Sequence, residues 1–217
     1  MIEAILPPQV SVAEAREDDA AAPLFPEEEE IVARAVERRR REFATGRSCA
    51  RRALAGLGVE PSPILPGPLG EPKWPAGIVG SITHCEGYRA AAAARGSDLI
   101  ALGIDAEPHA PLPPGLLGDV AAPAEAAALA ELSRGRPEAH WDRLLFSAKE
   151  SAFKAWYPLA GLPLDFLQAR VAFDPAQESF KAELPAPGRR RPYAFDGRWA
   201  VRDGLLVTAV AAAPPAG

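Results

Sequence analysis

Leu99-Ile100-Ala101-Leu102-Gly103-Ile104-Asp105-Ala106-Glu107 is an apolar run that ends in two acids. Its continuous part, Leu99 to Ile104, predicts a buried strand. Asp105 and Glu107 stand two residues apart, so on a strand both point to one face, roughly 7 Å from each other. Further on, Trp141 to Tyr157 has apolar residues at 141, 144, 145, 148, 152, 153 and 156, the period of a helix buried on one side. That helix carries Ser147-Ala148-Lys149-Glu150-Ser151-Ala152-Phe153-Lys154. A buried strand and an amphipathic helix, each bearing charge, predict a mixed helix-and-sheet fold.

Working outward, Pro26 followed by Glu27 to Glu30 reads as a helix start, because proline suits the first turn and acids there complement the dipole. This helix is expected to run through Ile31, Val32 and Val36 into Arg38 to Arg41. A second helix follows over 47–57, ended by glycine. Residues 11–25 read as surface covering. The Pro- and Gly-rich stretch 59–77 predicts an ordered loop pinned by Ile64, Leu65 and Trp74. Strands are expected at 78–82 and 88–94, then at 99–104. The proline-rich loop 108–114 reads as the seam between two halves, 1–104 and 105–217. The second half continues with a helix over 123–132 and the helix at 141–157, ended by Pro158. Strands at 170–173, 179–184, 198–202 and 205–211 follow, with Asp203-Gly204 as a two-residue hairpin turn.

The 217 residues suffice for one large domain or two small halves with a real core. A formal charge of −5 argues against general polyanion binding, so no nucleic-acid partner is expected. Cys49 and Cys85 have no metal-type spacing and suggest reduced thiols in a cytoplasmic protein. No run reaches the length of a membrane span, and Met1 to Val10 lacks the pattern of a signal peptide.

Three groups of residues carry chemistry. Asp105 and Glu107 offer hard oxygen ligands to a divalent cation, which commonly binds through one or two carboxylates plus substrate phosphates; the alternative is a solvated strand end. Glu150 and Lys154 could form an ordinary helix ion pair. They could also supply a third carboxylate or proton acceptor and a cation for a departing phosphate. Ser81, Thr83 and His84 cluster donors after a strand, as a phosphate would require. Arg38 to Arg41, Arg47, Arg51 and Arg52 form a basic stripe, mostly a solvated face, from which one or two could reach a phosphate. Together these suit chemistry at a pyrophosphate.

The stretches Gly70-Glu71-Pro72-Lys73-Trp74-Pro75, Val79 to Ala90, Gly103 to His109, His140 to Arg143 and Phe146 to Tyr157 resemble the Sfp/EntD-type 4′-phosphopantetheinyl transferases, nearest the stand-alone actinobacterial kind. The resemblance covers roughly residues 26–212, and the Gly-Ile-Asp-x-Glu plus Lys-Glu-x-x-x-Lys combination is its specific part. It implies an α+β fold of two similar α/β halves in pseudo-twofold arrangement, with coenzyme A between them. It implies transfer of 4′-phosphopantetheine from coenzyme A to a serine of acyl or peptidyl carrier proteins, releasing 3′,5′-ADP. Such enzymes activate fatty-acid, polyketide and nonribosomal peptide synthases.

Carried onto this chain, the resemblance implies that Asp105, Glu107 and Glu150 hold Mg²⁺, with Asp105, Glu150 and Lys154 catalytic. Arg39, Arg47, Lys73, Ser81, Thr83, His84, Lys149 and Lys154 would contact coenzyme A. Pro66 stands where close relatives often have lysine, and Phe153 where many have tyrosine, a difference of packing. Carrier docking is expected through Leu112, Leu116 and Leu117, helped by Arg134, Arg136 or Arg143, and a monomer is expected. Two alternatives stand beside this reading: a metal-dependent hydrolase of nucleotide or coenzyme A pyrophosphates, and a non-catalytic coenzyme A- or nucleic-acid-binding module.

Overall fold

The computed structural model describes residues 1–19, 21–186 and 193–214. It has two antiparallel sheets, each covered by one 20-residue helix. The three-stranded sheet has the order β1-β3-β2, from β1 (Ser11–Ala15), β2 (Ile78–Cys85) and β3 (Tyr88–Arg95). The five-stranded sheet has the order β4-β8-β7-β6-β5. Its strands are β4 (Ala101–Pro108), β5 (Arg170–Asp174), β6 (Ser179–Leu184), β7 (Tyr193–Arg202) and β8 (Leu205–Ala212). Helices α1 (Pro26–Val32) and α2 (Glu37–Gly56) belong to the first sheet. Helices α3 (Leu117–Val120), α4 (Pro123–Gly135) and α5 (Trp141–Ala160) belong to the second. This is the expected α+β class with two similarly built parts.

Side-chain alternation sorts the layers. On β3, Ala91 and Ala93 pack with Cys49, Ala50 and Leu54 of α2, while Ala90, Ala92 and Ala94 face the other sheet. On β8, Leu206 and Val210 pack with Trp141 and Leu145 of α5, while Leu205, Val207 and Ala209 face the first sheet. β3 and β8 are thus buried on both faces. A strand covered on both faces reads as a continuous apolar run, which is why five consecutive alanines form a strand here despite their helix propensity.

Several expectations need correction. Residues 11–15 are not surface covering but an edge strand, β1, paired along its length with β3. The first helix stops at Val32, and α2 runs unbroken from Glu37 through the arginines to Gly56. Pro158 lies inside α5, whose end is Gly161 in the left-handed conformation (φ 66°). A terminal-turn proline removes one N–H but still allows the helix to finish its last turn. The chain passes between sheets at residues 96–100, so the 104/105 division falls inside β4, and the 108–114 loop leads to α3 within the second part. The 203–204 hairpin forms as expected, with both residues at positive φ (51° and 72°).

Lys149 is also corrected. It does not reach toward a ligand: it is 1% exposed and sits in the core of the second part. Its ammonium donates to Glu125 Oε2 (2.7 Å), Val120 O (2.8 Å) and Phe166 O (2.9 Å), which engages all three protons. Glu125 in turn accepts from Ala122 N (2.9 Å) and Val171 N (2.8 Å). One buried pair therefore ties α3, α4, α5 and β5 together. Burial lowers the Lys149 pKa, with Glu125 opposing.

Two expectations follow. Lys149→Met leaves the Glu125 carboxylate buried without its cation, which costs about 3–5 kcal/mol; chemical denaturation should show that loss, and an unchanged midpoint would contradict the pairing. At Gly103, an added Cβ would overlap the Ser151 carbonyl oxygen and stand 2.7 Å from Ala155 N. Gly103→Ala must push β4 off α5, at about 3 kcal/mol and a melting point about 6–12 °C lower; an unchanged melt would contradict this packing.

Candidate active site

The site lies where β2 and β4 run side by side without sharing a backbone ladder. β4 pairs with β8 on one edge, leaving the Ile104 and Ala106 N–H groups on the other. Those two groups donate to Ser81 Oγ (3.1 Å) and Thr83 Oγ1 (3.0 Å) of β2. The Thr83 hydroxyl donates its own proton to Asp105 Oδ1 (3.2 Å). Thr83 and Ser81 are 2% and 3% exposed. The hydroxyls expected to meet phosphate are therefore seam elements, although Ser81 also lines the central cavity described next. His84 belongs to β2 itself, not to a turn.

Odd-numbered β4 residues from Gly103 onward face α5. Lys154 of α5 donates to Asp105 Oδ1 (2.7 Å) and to Ile104 O (3.2 Å). Burial works to lower the Lys154 pKa, but the carboxylates of Asp105, Glu150 and Glu107 outweigh it, and the net shift is upward. The Glu150 carboxylate, one turn earlier on α5, makes no hydrogen bond among the described residues. Burial raises its pKa; Lys154 lowers it and Asp105 raises it further. Glu107 is raised by burial and by Asp105, opposed by Arg143. Arg143 holds Glu107 at 2.8 Å and also donates to Ala110 O and Pro111 O, so it is not free for a docking partner.

Glu107 and Glu150 thus each feel Asp105 as a like-charged neighbour. Among the described residues, no three His, Cys, Asp or Glu side chains form a ready metal cage. Asp105 Oδ2, however, is buried and has no hydrogen-bond partner. An orphan carboxylate oxygen beside two further acids suits a hard cation that completes its shell with phosphate oxygens and water. Asp105 Oδ2 is in this sense the one buried oxygen of the three acids left open, among the described residues, to a cation such as Mg²⁺.

Two adjoining cavities meet at this seam and share Gly70, Pro72 and Ile82 as walls. The central one, about 260 Å³, is lined by Trp74, Ser81, Glu150, Phe153, Lys154 and Tyr157. The basic one, about 330 Å³, is lined by Arg39, Glu42, Phe43, Arg47, Pro66 and His84. Arg39 Nη1 lies 3.2 Å from His84 Nε2. Desolvation and the Arg39 charge lower the His84 pKa, and a neutral ring can accept from that guanidinium. Arg47 is 7% exposed and packs over the Phe43 ring at 4.3 Å, and its guanidinium makes no hydrogen bond among the described residues. Burial lowers its pKa to about 10, with Glu28 opposing.

The structure therefore brings together Arg39, Arg47, Ser81, His84, Glu150 and Lys154 along two adjoining cavities, with Asp105 behind them on Lys154 and Glu107 held on Arg143; neither of these two acids lines a cavity wall. Lys73 is exposed and lines neither cavity, and its backbone N–H is bound to Leu65 O (2.8 Å). Phe153 does more than pack in the core, because it forms cavity wall. Trp74, Tyr157 and Phe43 complete the walls; the sequence assigns none of them a site role and reads Trp74 only as a pin of the 59–77 loop. Their only signal was an aromatic side chain near charged neighbours, which buried core residues share. Both cysteines are free. Among the described residues no helix is long and apolar enough to cross a membrane.

Comparison with known proteins agrees with this layout. A family model described as 4′-phosphopantetheinyl transferase N-terminal domain matches residues 27–94. A second, for the 4′-phosphopantetheinyl transferase superfamily, matches residues 101–208. The chain is 58% identical over 204 residues to 4′-phosphopantetheinyl transferase Svp of Streptomyces mobaraensis, covering 92% of this chain and 83% of that protein. It is 45% identical to the transferase Npt of Nocardia iowensis, covering 97% and 99%. To the transferase PptT of Mycobacterium tuberculosis it is 42% identical, covering 97% of each. With both halves matched in order and full-length relatives this similar, the chain belongs to the 4′-phosphopantetheinyl transferase family.

Proposed function

We propose that this chain moves the 4′-phosphopantetheine arm of coenzyme A onto a carrier-protein serine with the pyrophosphate lying at the β2–β4 seam. The observation that carries the placement is the meeting of a carboxylate, Glu150, and an ammonium, Lys154, in the wall of the central cavity, which adjoins the basic one through Gly70, Pro72 and Ile82. The basic cavity, with Arg39, Arg47 and His84, takes the 3′-phosphate end of the nucleotide. The central cavity, walled by Trp74, Phe153 and Tyr157, takes the pantetheine arm.

On this reading Glu150 accepts the proton of the serine hydroxyl. The serine oxygen bonds to the phosphorus that bears the pantetheine arm, the bond to the second phosphate breaks, and 3′,5′-ADP leaves with the electron pair. Lys154 has two protons on Asp105 and Ile104 and a third for the charge that grows on the leaving phosphate. Asp105, through Oδ2, with Glu107 and Glu150, would hold Mg²⁺, which when bound neutralises pyrophosphate charge. Phosphoryl transfer asks chiefly for alignment and charge neutralisation, and this groove supplies both. The hydrolase alternative finds no support in the relatives, which are transferases by name. The cleft is complete within one chain, so the working form on this reading is a cytosolic monomer.

The carrier docks beside the groove at the α3 end. Of the three leucines expected there, Leu112 is buried at 8% exposure and Leu117 is half-buried, whereas Leu116 is 42% exposed. Leu116 is therefore the accessible contact.

Incubation with coenzyme A, Mg²⁺ and an apo carrier domain tests the function directly. The carrier should gain the mass of phosphopantetheine; cleavage of coenzyme A without labelling would overturn the reading. Glu150→Gln should lower kcat about 100-fold or more while the coenzyme A Kd moves less than about threefold. Near-normal turnover would remove Glu150 as the base. Leu116→Ser should raise KM for the carrier about fivefold or more and spare KM for coenzyme A, since an exposed apolar anchor is worth about 1 kcal/mol or more; an unchanged carrier KM ends the docking idea.

A further inference from the structure

Glu28 is fully buried, at 0% exposure, yet it belongs to a run of four glutamates whose other members Glu27, Glu29 and Glu30 make no contact of this kind. Its Oε2 accepts from Phe25 N (3.1 Å) and its Oε1 from Ile64 N (2.9 Å). Arg51 Nη1 bonds both oxygens, at 3.1 and 2.8 Å. One carboxylate thereby joins α1, α2 and the loop that walls both cavities. A second arginine, Arg47, brings its Nε to 3.9 Å of Glu28 Oε1, beyond hydrogen-bond distance.

That difference in distance matters. Arg51 and the two backbone N–H groups fill the hydrogen-bonding capacity of Glu28, so Arg47 receives its charge without being tied to it. The Arg47 guanidinium is confined between this carboxylate and the Phe43 ring, and its Nε is buried with no partner. Arg39 and Arg51 both act against its charge, and Glu28 acts for it. A buried guanidinium with no protein hydrogen bond, on the wall of a cavity, is a donor set held open for an anion.

We propose that Glu28 is a positioning residue for phosphate recognition, fixing Arg47 in the basic cavity so that the enzyme favours coenzyme A over the same molecule lacking its 3′-phosphate. The inference rests on the reading that this cavity takes the 3′-phosphate end. Glu28 touches no substrate; it acts through Arg47.

Transfer to an apo carrier is measured for wild type, Glu28→Gln, Arg47→Ala and the double variant, with coenzyme A and with 3′-dephospho-coenzyme A. Glu28→Gln should raise KM for coenzyme A about tenfold, the worth of one charge-assisted contact, with kcat within about twofold. Its KM for the dephospho substrate should stay near wild type, and the double variant should be no worse than Arg47→Ala alone. An equal loss on both substrates, or a double variant in which the losses add, would make Glu28 merely structural and overturn the proposal. If Arg47→Ala treats the two substrates alike, the cavity assignment itself is wrong and the proposal falls with it. Should Glu28→Gln fail to give a cooperative melt, Phe43→Leu removes the opposite wall of the guanidinium and must show the same selective rise; no selectivity there also overturns it.

Discussion

The unpaired edge of β4 is the constraint from which the site follows. Its Ile104 and Ala106 N–H groups cannot stay buried without acceptors, because an orphaned amide costs about 1–3 kcal/mol. A backbone ladder with β2 would satisfy them by fusing the two sheets into one. Ser81 and Thr83 satisfy them instead with side-chain oxygens, so the sheets meet through hydroxyls and keep a groove above the seam. The same Thr83 hydroxyl then points its proton at Asp105, which fixes that carboxylate against Lys154. A hydrogen-bond debt at a strand edge and the electrostatics of the groove are settled by one pair of side chains.

Helix geometry decides which of two similar lysines serves the site. Lys149 and Lys154 lie five residues apart on α5, about 140° around the helix at 3.6 residues per turn. One face meets the core and the other meets β4. Lys149 is therefore saturated by Glu125 and two carbonyls, while Lys154 reaches Asp105 with a proton to spare. The Lys-Glu-x-x-x-Lys pattern does not itself say which lysine is inward. The apolar positions 141, 145, 148, 152 and 156 do, since 149 borders that face, about 20° from 156, while 154 lies on the opposite side of the helix.

What could be read from the sequence was what local pattern and chemistry determine. The acids of β4, the α5 periodicity and the Asp203-Gly204 turn follow from period and spacing, and the buried alanine strand from a short apolar run bounded by Gly87 and Gly96, against its helix propensity. What could not be read depends on contacts far along the chain. Ser81 and Thr83 looked like free donors because the strand edge they serve is more than twenty residues away. β1 looked like surface because Ser11-Val12-Ala13-Glu14-Ala15 carries too little apolar contrast to show a strand until β3 is beside it. Within Pro26-Glu27-Glu28-Glu29-Glu30 nothing distinguishes Glu28, and only the packing of Ile64 and Arg51 around it makes it the buried one.

The position of that glutamate has a counterpart. Pro26 opens α1 and Pro123 opens α4; two residues later in each stand Glu28 and Glu125. Each accepts from the backbone N–H three residues before it, Phe25 and Ala122, in the manner of a helix cap. Each accepts a second backbone N–H from a distant segment, Ile64 or Val171. Each binds a cation from the long helix of its own part, Arg51 at a separation of 23 residues or Lys149 at 24. A capping glutamate is normally exposed at a helix start, worth a fraction of a kcal/mol. Here both are buried, and besides its two backbone donors each meets a cation brought by the long helix. The consequence is the same in both parts: α2 cannot slide without losing the Glu28–Arg51 pair, nor α5 without losing Glu125–Lys149. The residues that face the groove, Arg39 and Arg47 on one helix and Glu150 and Lys154 on the other, are held in register by a repeated device that lies behind them.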